Sequence, residues 1–570
     1  MPASRGISRR RFLAAGGAGA VAAAVGELPV RARNDDVSDG SHGEESVARV
    51  DAGPAQTMQG FGASGAWWPN DLITFEPVVQ ERVADLLFGP SGIALGVYRY
   101  NIGGGGVGVT HPGHDTETFL VSPGNYDWSR DRGGRRFLQL AAQRRVPILI
   151  GFANSAPTVW TTNGESHGGY LKPGAEADFA HYLADVVVHL HDDEGITLSY
   201  VSPMNEPDYI FADGFQEGMG VPVEQRAPLV RALGQELAAR APYCRVIADE
   251  SSRTGEHFLR EARQWLAVDD ASDYVAALAH HRYDFPNDVT PELARELGER
   301  ATKPLWSTEV SCFDSRTGVW GQQYDPTIAN GLILASLIWQ GLTVANDAAF
   351  HWWVACSPVM GCDPLADPDA ASKVNDDGWN DGLLYYDPRF AENGNQRIYL
   401  TKRYSVMGQF SRYIRPGDRR HDVMGTPRGL RVLAFARSHS TMTEHPGTGT
   451  RPATDPSASP PPAAAPIQVP GGSRPTPTVR PAAVNTGPAT DSWTVVIVNI
   501  ARAGTSAATL RLQLPLAERT RIVPDVAVET SATHDLDSVA LPEVSVAGLL
   551  TARLPAESIT TCVLKVIGGG

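Results

Sequence analysis

Short apolar runs recur along the first three quarters of the chain. After each comes a longer stretch whose apolar positions repeat every three or four residues. The runs end near Phe61, Tyr100, Phe152, Met204, Ala248, Ala279, Thr308 and Trp353. Runs this short and this continuously apolar predict strands buried on both faces. The stretches with helical spacing are 77–88, 135–144, 177–191, 223–241, 256–266, 291–301, 327–341 and 396–413. Strand and helix thus alternate eight times across residues 57–410. That predicts a parallel sheet covered by helices and closed into a (β/α)8 barrel, with an open doubly wound sheet as the alternative.

From about residue 411 the pattern changes. Residues 430–435, 493–498, 509–514 and 560–566 read as strands with no convincing helix between them. This predicts a β-sandwich over 411–567. Within it, 445–491 is rich in Pro, Ala, Thr and Gly and has few large apolar residues. Such a segment cannot offset its ordering entropy, so it is expected to be disordered. An insertion inside the β domain is preferred to an interdomain linker, because the residues beyond it are too few for a domain of their own.

Composition narrows the class. The 570 residues are 42% hydrophobic and 20% charged, with net charge −15. No basic cluster lies beyond the first residues, which argues against nucleic acid and fits a neutral substrate. Ser8-Arg9-Arg10-Arg11-Phe12-Leu13 precedes an Ala/Gly-rich stretch and a small-residue site at Val30-Arg31-Ala32. Residues 1–32 therefore look like a twin-arginine export signal, with secretion as the expected outcome and no membrane contact once mature. Residues 33–46 are polar and expected to be disordered. Five cysteines leave at least one unpaired; Cys356 and Cys362 are close enough in sequence to bridge a loop.

The strand ends carry the candidate chemistry. Val201-Ser202-Pro203-Met204-Asn205-Glu206-Pro207 ends strand 4, and Pro304-Leu305-Trp306-Ser307-Thr308-Glu309 ends strand 7. Two carboxyls at the carboxyl ends of different barrel strands, Glu206 and Glu309, suit glycosidic-bond hydrolysis, one as acid and one as nucleophile. Arg99 and Asn101 on strand 2, Asn154 and Trp160 after strand 3, and His281 and Tyr283 after strand 6 share that rim. So do Asn205 and the pair Trp352 and Trp353 at the end of strand 8. Arg99 is expected to keep Glu309 ionised and Tyr283 to orient it, while the tryptophans and asparagines bind sugar faces and hydroxyls. Asp249-Glu250 reads as a structural hydrogen-bond network. Gly103 to Gly108 formally matches GxGxxG, but no helix begins there, so it reads as a tight substrate-lining loop. His111 and His114, or His280 and His281, lack a metal-ligand pattern; no metal or cofactor is assigned.

Six motifs occur in order: 61–65 (FGASG), 99–103 (RYNIG), 153–157 (ANSAP), 204–207 (MNEP), 307–309 (STE) and 413–417 (YIRPG). Together they resemble glycoside hydrolase family 30 over nearly all of 50–567 except the Pro-rich insertion. The resemblance implies a (β/α)8 barrel with a side β domain built from both chain ends, 47–56 and 411–567. It also implies a retaining mechanism with Glu206 as acid/base and Glu309 as nucleophile. Residues 62–71 and 101–108 look most like the endo-β-1,6-galactanase branch, whose substrates are the β-1,6-galactan side chains of arabinogalactan. Other branches act on β-1,6-glucan, xylan or glucosylceramide-type β-glycosides. A non-catalytic carbohydrate-binding protein is the alternative of another class. A monomer acting on a polysaccharide is expected.

Overall fold

Eight short parallel strands form a closed barrel in the computed structural model, which describes residues 47–284, 289–438, 490–517 and 519–568. In chain order they are Gly60–Ser64, Val97–Ile102, Ile148–Ala153, Tyr200–Ser202, Arg245–Ser251, Val275–His281, Leu305–Glu309 and Asp347–Trp352, here barrel strands 1 to 8. Each pairs in parallel with its neighbour, and strand 8 joins strand 1 with Ala349 opposite Gly60. Every residue of strands 1, 2, 3, 7 and 8 is buried, and most are apolar; the buried polar exceptions include Arg99, Asn101, Glu309 and His351. Alternation along the strands still sorts the two faces. Val97, Ile148, Ile247, Ala277, Trp306 and Ala349, from six different strands, meet in the barrel interior. Tyr98, Tyr100, Leu149 and Leu278 belong instead to the large core shared with the helices.

The covering helices are Pro77–Phe88, Arg132–Gln143, Glu176–Asp192, Val223–Arg240, Leu259–Trp265, Val289–Ala301, Ile328–Gln340 and Lys402–Ser411. The last is shorter than the 396–413 expected. Ile398–Leu400 instead pairs antiparallel with Leu384–Tyr386. The Thr401 hydroxyl then starts the helix by accepting from the Tyr404 amide. Residues Ile328–Ala345 are apolar enough to pass for a membrane span, yet most of that stretch is buried within the protein. It is apolar because it packs against Lys402–Ser411 on one side and the β domain on the other.

That β domain is one ten-stranded sheet. Ala48–Thr57 pairs antiparallel with Arg419–Met424 and parallel with Ala508–Gln513, so a strand that precedes the barrel joins strands that follow it. The sheet curls until Thr520–Thr530, near one edge, touches Glu543–Val544 at the other. It thereby encloses a core of its own. Strands Leu430–Arg437 and Ser492–Asn499 pair antiparallel along their length and have two apolar faces. Val432, Ala434, Val495 and Ile497 enter the sandwich core, whereas Leu433, Phe435, Val496 and Val498 enter the barrel core. The expected signal (1–32), the expected disordered segment (33–46) and all but the end of the 445–491 insertion lie outside the described residues. The strands flanking that insertion are neighbours in this one sheet.

Candidate active site

Four polar groups converge on the Arg99 guanidinium at the carboxyl end of the barrel. Arg99 is in phase with Val97, so the strand's period of two turns it inward. Its Nη1 donates to Glu309 Oε2 (3.0 Å) and to Ser64 Oγ (2.9 Å). Its Nη2 donates to Glu250 Oε2 (3.1 Å) and Asn205 Oδ1 (3.3 Å). The guanidinium lies 4.1 Å from the Phe152 ring centre, which closes one face of it to water.

His281, in phase with Ala277 and Ala279, links the carboxyls from the other side. Nδ1 is 3.0 Å from Glu206 Oε1 and 3.6 Å from Glu309 Oε1, and Nε2 is 2.9 Å from Glu250 Oε2. Tyr283 donates its hydroxyl to Glu309 Oε1 at 3.0 Å, and Thr308 donates to Glu250 Oε2 at 2.7 Å. All of these residues are buried apart from Tyr283, which is half-buried.

The electrostatics follow from that packing. Burial alone would neutralise His281, but Glu309, Glu206 and Glu250 around it raise its pKa to about 10. Burial likewise opposes the charge on Glu250, and Arg99 and His281 overcome it, holding the carboxyl down at about 2. The carboxyl of Glu309 is raised, by burial first and by Glu206, against the pull of His281 and Arg99. Two cations, Arg99 and His281, thus face three carboxyls, Glu206, Glu250 and Glu309. Glu206 and Glu250 both have left-handed backbones, with φ of 46° and 61°. For a side chain of this size that costs roughly 1 kcal/mol or more, a strain concentrated where the two carboxyls are aimed.

The other expected site residues divide. Asn205 touches Arg99, and Asn101 and Asn154 are joined to one another by Asn154 Nδ2 donating to Asn101 Oδ1 at 3.3 Å. Buried Asn154 Oδ1 has no hydrogen-bond partner among the described residues. Trp353 stands edge-on to Trp67, 4.9 Å between centres. Trp160 and Trp352, expected to bind sugar, are packing residues instead. Trp160 sits among Phe179 and Tyr182 of a covering helix, and Trp352 is fully buried against Phe313, its Nε1 donating to the Asp381 carbonyl.

Sequence reasoning gave Glu250 a structural role without finding its place at the centre. Strict alternation from Ile247 would turn Asp249 inward, but the pairing with strand 6 is irregular between Asp249 and Ser251. Glu250 meets Arg99 as a result, while Asp249 binds Arg226 and Trp265. Trp67, stacked on His114 at 3.7 Å, and Trp320, edge-on to Tyr283 at 5.3 Å, were also missed as rim aromatics. Trp67 lay inside the 62–71 run, but its direction depends on a φ of 71°. One ligand atom each from Glu206, His281 and Glu309 lies within 4.8 Å of the others, a spacing that suits a cation. Arg99 and the protonated imidazole already supply positive charge there, and no metal is assigned.

The profile of O-Glycosyl hydrolase family 30 matches residues 46–366. The chain belongs to that family. Family 30 members are O-glycosyl hydrolases, so the substrate is a polysaccharide. Solved structures agree on the fold. A conserved exported protein from Bacteroides fragilis is 19% identical with TM-score 0.65, over 91% of this chain and 100% of that one. The catalytic domain of a family 30 xylanase C from Talaromyces cellulolyticus is 20% identical with TM-score 0.63, over 91% and 100%. An endo-β1,6-glucanase is 14% identical with TM-score 0.59, over 91% and 94%.

Proposed function

We propose that this family 30 hydrolase is a retaining endo-β-1,6-galactanase acting on the side chains of arabinogalactan. The observation that carries the retaining mechanism is the closeness of the two carboxyls, which bring oxygens within 4.8 Å of each other. Carboxyls about 5 Å apart suit direct attack on the anomeric carbon, whereas inversion needs roughly 6.5–9.5 Å to admit a water. Two donors on Glu309, Arg99 and Tyr283, favour the anion there. Glu206 then protonates the leaving oxygen as Glu309 bonds to the anomeric carbon. Forming that ester removes the negative charge beside Glu206. The carboxylate it has become takes a proton from water, whose oxygen attacks the anomeric carbon and frees Glu309. His281 and Glu250 touch the reacting carboxyls or their partners and hold them in register.

The galactan assignment is supported by the likeness of residues 62–71 and 101–108 to the galactanase branch. The Arg9-Arg10-Arg11 segment supports export by the twin-arginine route. Hydrolysis of defined β-1,6-galactooligosaccharides, followed by NMR, tests the reading. The expected first product is the β anomer of a short galactooligosaccharide. An α product refutes retention, and cleavage of xylan or β-1,6-glucan in preference to galactan refutes the substrate.

A further inference from the structure

The glycine run that mimics a nucleotide-binding loop is filled by the protein's own carboxyl. Glu217 is wholly buried. Its Oε1 accepts from the Gly106 amide at 2.9 Å and the Gly104 amide at 3.1 Å, and Oε2 lies 3.2 Å from the Gly104 amide. The loop can approach this closely only as glycine. Gly106 has φ +68°, and a Cβ there would meet Asp115 Cβ at 2.6 Å.

Glu217 stands in the loop after barrel strand 4, eleven residues beyond Glu206. Its neighbours stitch three loops together. Gly218 N donates to the Ser166 carbonyl, and Ser166 N to the Val107 carbonyl. Thr110 N donates to the Gly214 carbonyl, and Met219 N to the carbonyl of Asn154, whose side-chain oxygen is the unpartnered acceptor. The loop fastened by Glu217 carries His114, which stacks on Trp67, while Phe215 from the Glu217 loop meets both rings edge-on. Trp67 in turn meets Trp353 at the end of strand 8.

We infer that Glu217 is a positioning residue for substrate binding, its carboxyl clasping the Gly103–Gly108 loop and so fixing the aromatic wall and Asn154 beside the catalytic carboxyls. The carboxyls themselves are anchored independently, through Arg99, His281 and the Glu206 amide's bond to the Glu250 carbonyl. Burial, outweighing the Gly106 and Gly104 amides, pushes the Glu217 carboxyl up to about 8. At neutral pH the clasp is therefore a neutral acid, and glutamine keeps the one oxygen that takes both amides.

The inference rests on the hydrolase reading, not on the galactan one. De-arabinosylated arabinogalactan is the first probe; if the wild type prefers xylan or β-1,6-glucan, that glycan replaces it. The galactan proposal then fails while Glu217 is still tested. Glu217→Ala is expected to raise KM about tenfold with kcat within about twofold, and Glu217→Gln to restore KM to near wild type. Gly106→Ala, which opens the clasp from the other side, is expected to raise KM similarly and to be less than additive with Glu217→Ala. Amide exchange reads the clasp without substrate, with Gly104 and Gly106 protected in the wild type and in Glu217→Gln. If Glu217→Ala does not fold, Gly106→Ala and Glu217→Gln decide. An unchanged KM in Gly106→Ala, a Glu217→Gln variant as impaired as Glu217→Ala, or kcat falling in step with KM overturns the inference.

Discussion

Removing one oxygen from Tyr283 isolates the electrostatics of the nucleophile. In Tyr283→Phe the ring still packs edge-on against Trp320 at 5.3 Å and near His281 at 6.1 Å, so the scaffold is retained. What goes is the 3.0 Å hydrogen bond to Glu309 Oε1, together with the longer 3.4 Å contact to Ser311 Oγ. A hydrogen bond to a charged acceptor contributes about 1.5–3 kcal/mol net, so kcat/KM is expected to fall about ten- to hundredfold. The sign with pH comes from the donor's direction. The phenol stabilises the ionised carboxyl, and burial already raises the carboxyl of Glu309. Without the phenol the carboxyl rises further, so the acid limb of the kcat/KM profile moves to higher pH. The loss is therefore greatest on the acid side and partly recovers as pH rises. Initial rates on a β-1,6-galactooligosaccharide over a pH series, alongside thermal denaturation, measure both. An acid limb that stays in place, with full activity, would refute the reasoning. So would a loss of stability well above about 3 kcal/mol, since that would make Tyr283 a packing residue.

Glu309→Gln is expected to abolish turnover while circular dichroism and glycan binding persist; wild-type-like activity contradicts its role as nucleophile. The buried network also sets a stability window. Glu250 sits at about 2, below its unfolded 4.5, so its contribution is present above 4.5 and lost as pH falls towards 2. His281 sits at about 10, above its unfolded 6.5, so its contribution is complete below 6.5 and lost as pH rises through 10. Tm measured against pH is expected to peak between 4.5 and 6.5, and Glu250→Gln to flatten the acid branch while costing about 3–5 kcal/mol for the stranded cations. All five cysteines are free thiols, so Tm is expected to be the same with and without a reducing agent.

The barrel was legible because its strands are buried on both faces and its helices on one, two patterns that a linear sequence displays directly. The two glutamates were legible for the same reason, each ending such a run. Glu250 was placed by a local irregularity in strand pairing, which no periodicity carries. Glu217 was hidden because its partners are more than a hundred residues away in the glycine run. Trp352 and Trp353 are adjacent in sequence and opposite in fate, one turned into the packing around Phe313 and the other towards Trp67. The β domain was read only in part. Arg419–Met424 is polar, because its Arg420 and His421 bond to the N-terminal strand, and Thr520–Thr530 contains Pro524, accommodated at a pairing irregularity.

The seating of Ala48–Thr57 between Arg419–Met424 and Ala508–Gln513 has a consequence for synthesis. The first strand of the described chain leaves the ribosome more than three hundred and fifty residues before its first neighbour and must wait unpaired. The barrel can gather behind it, yet Leu433, Phe435, Val496 and Val498, which cover part of the barrel core, arrive only near the end. Stopping translation after residue 411 is therefore expected to leave a barrel with an apolar flank exposed to water and an orphan strand edge. The final strands act as a completion signal, covering the apolar flank of a collapsed, association-prone intermediate.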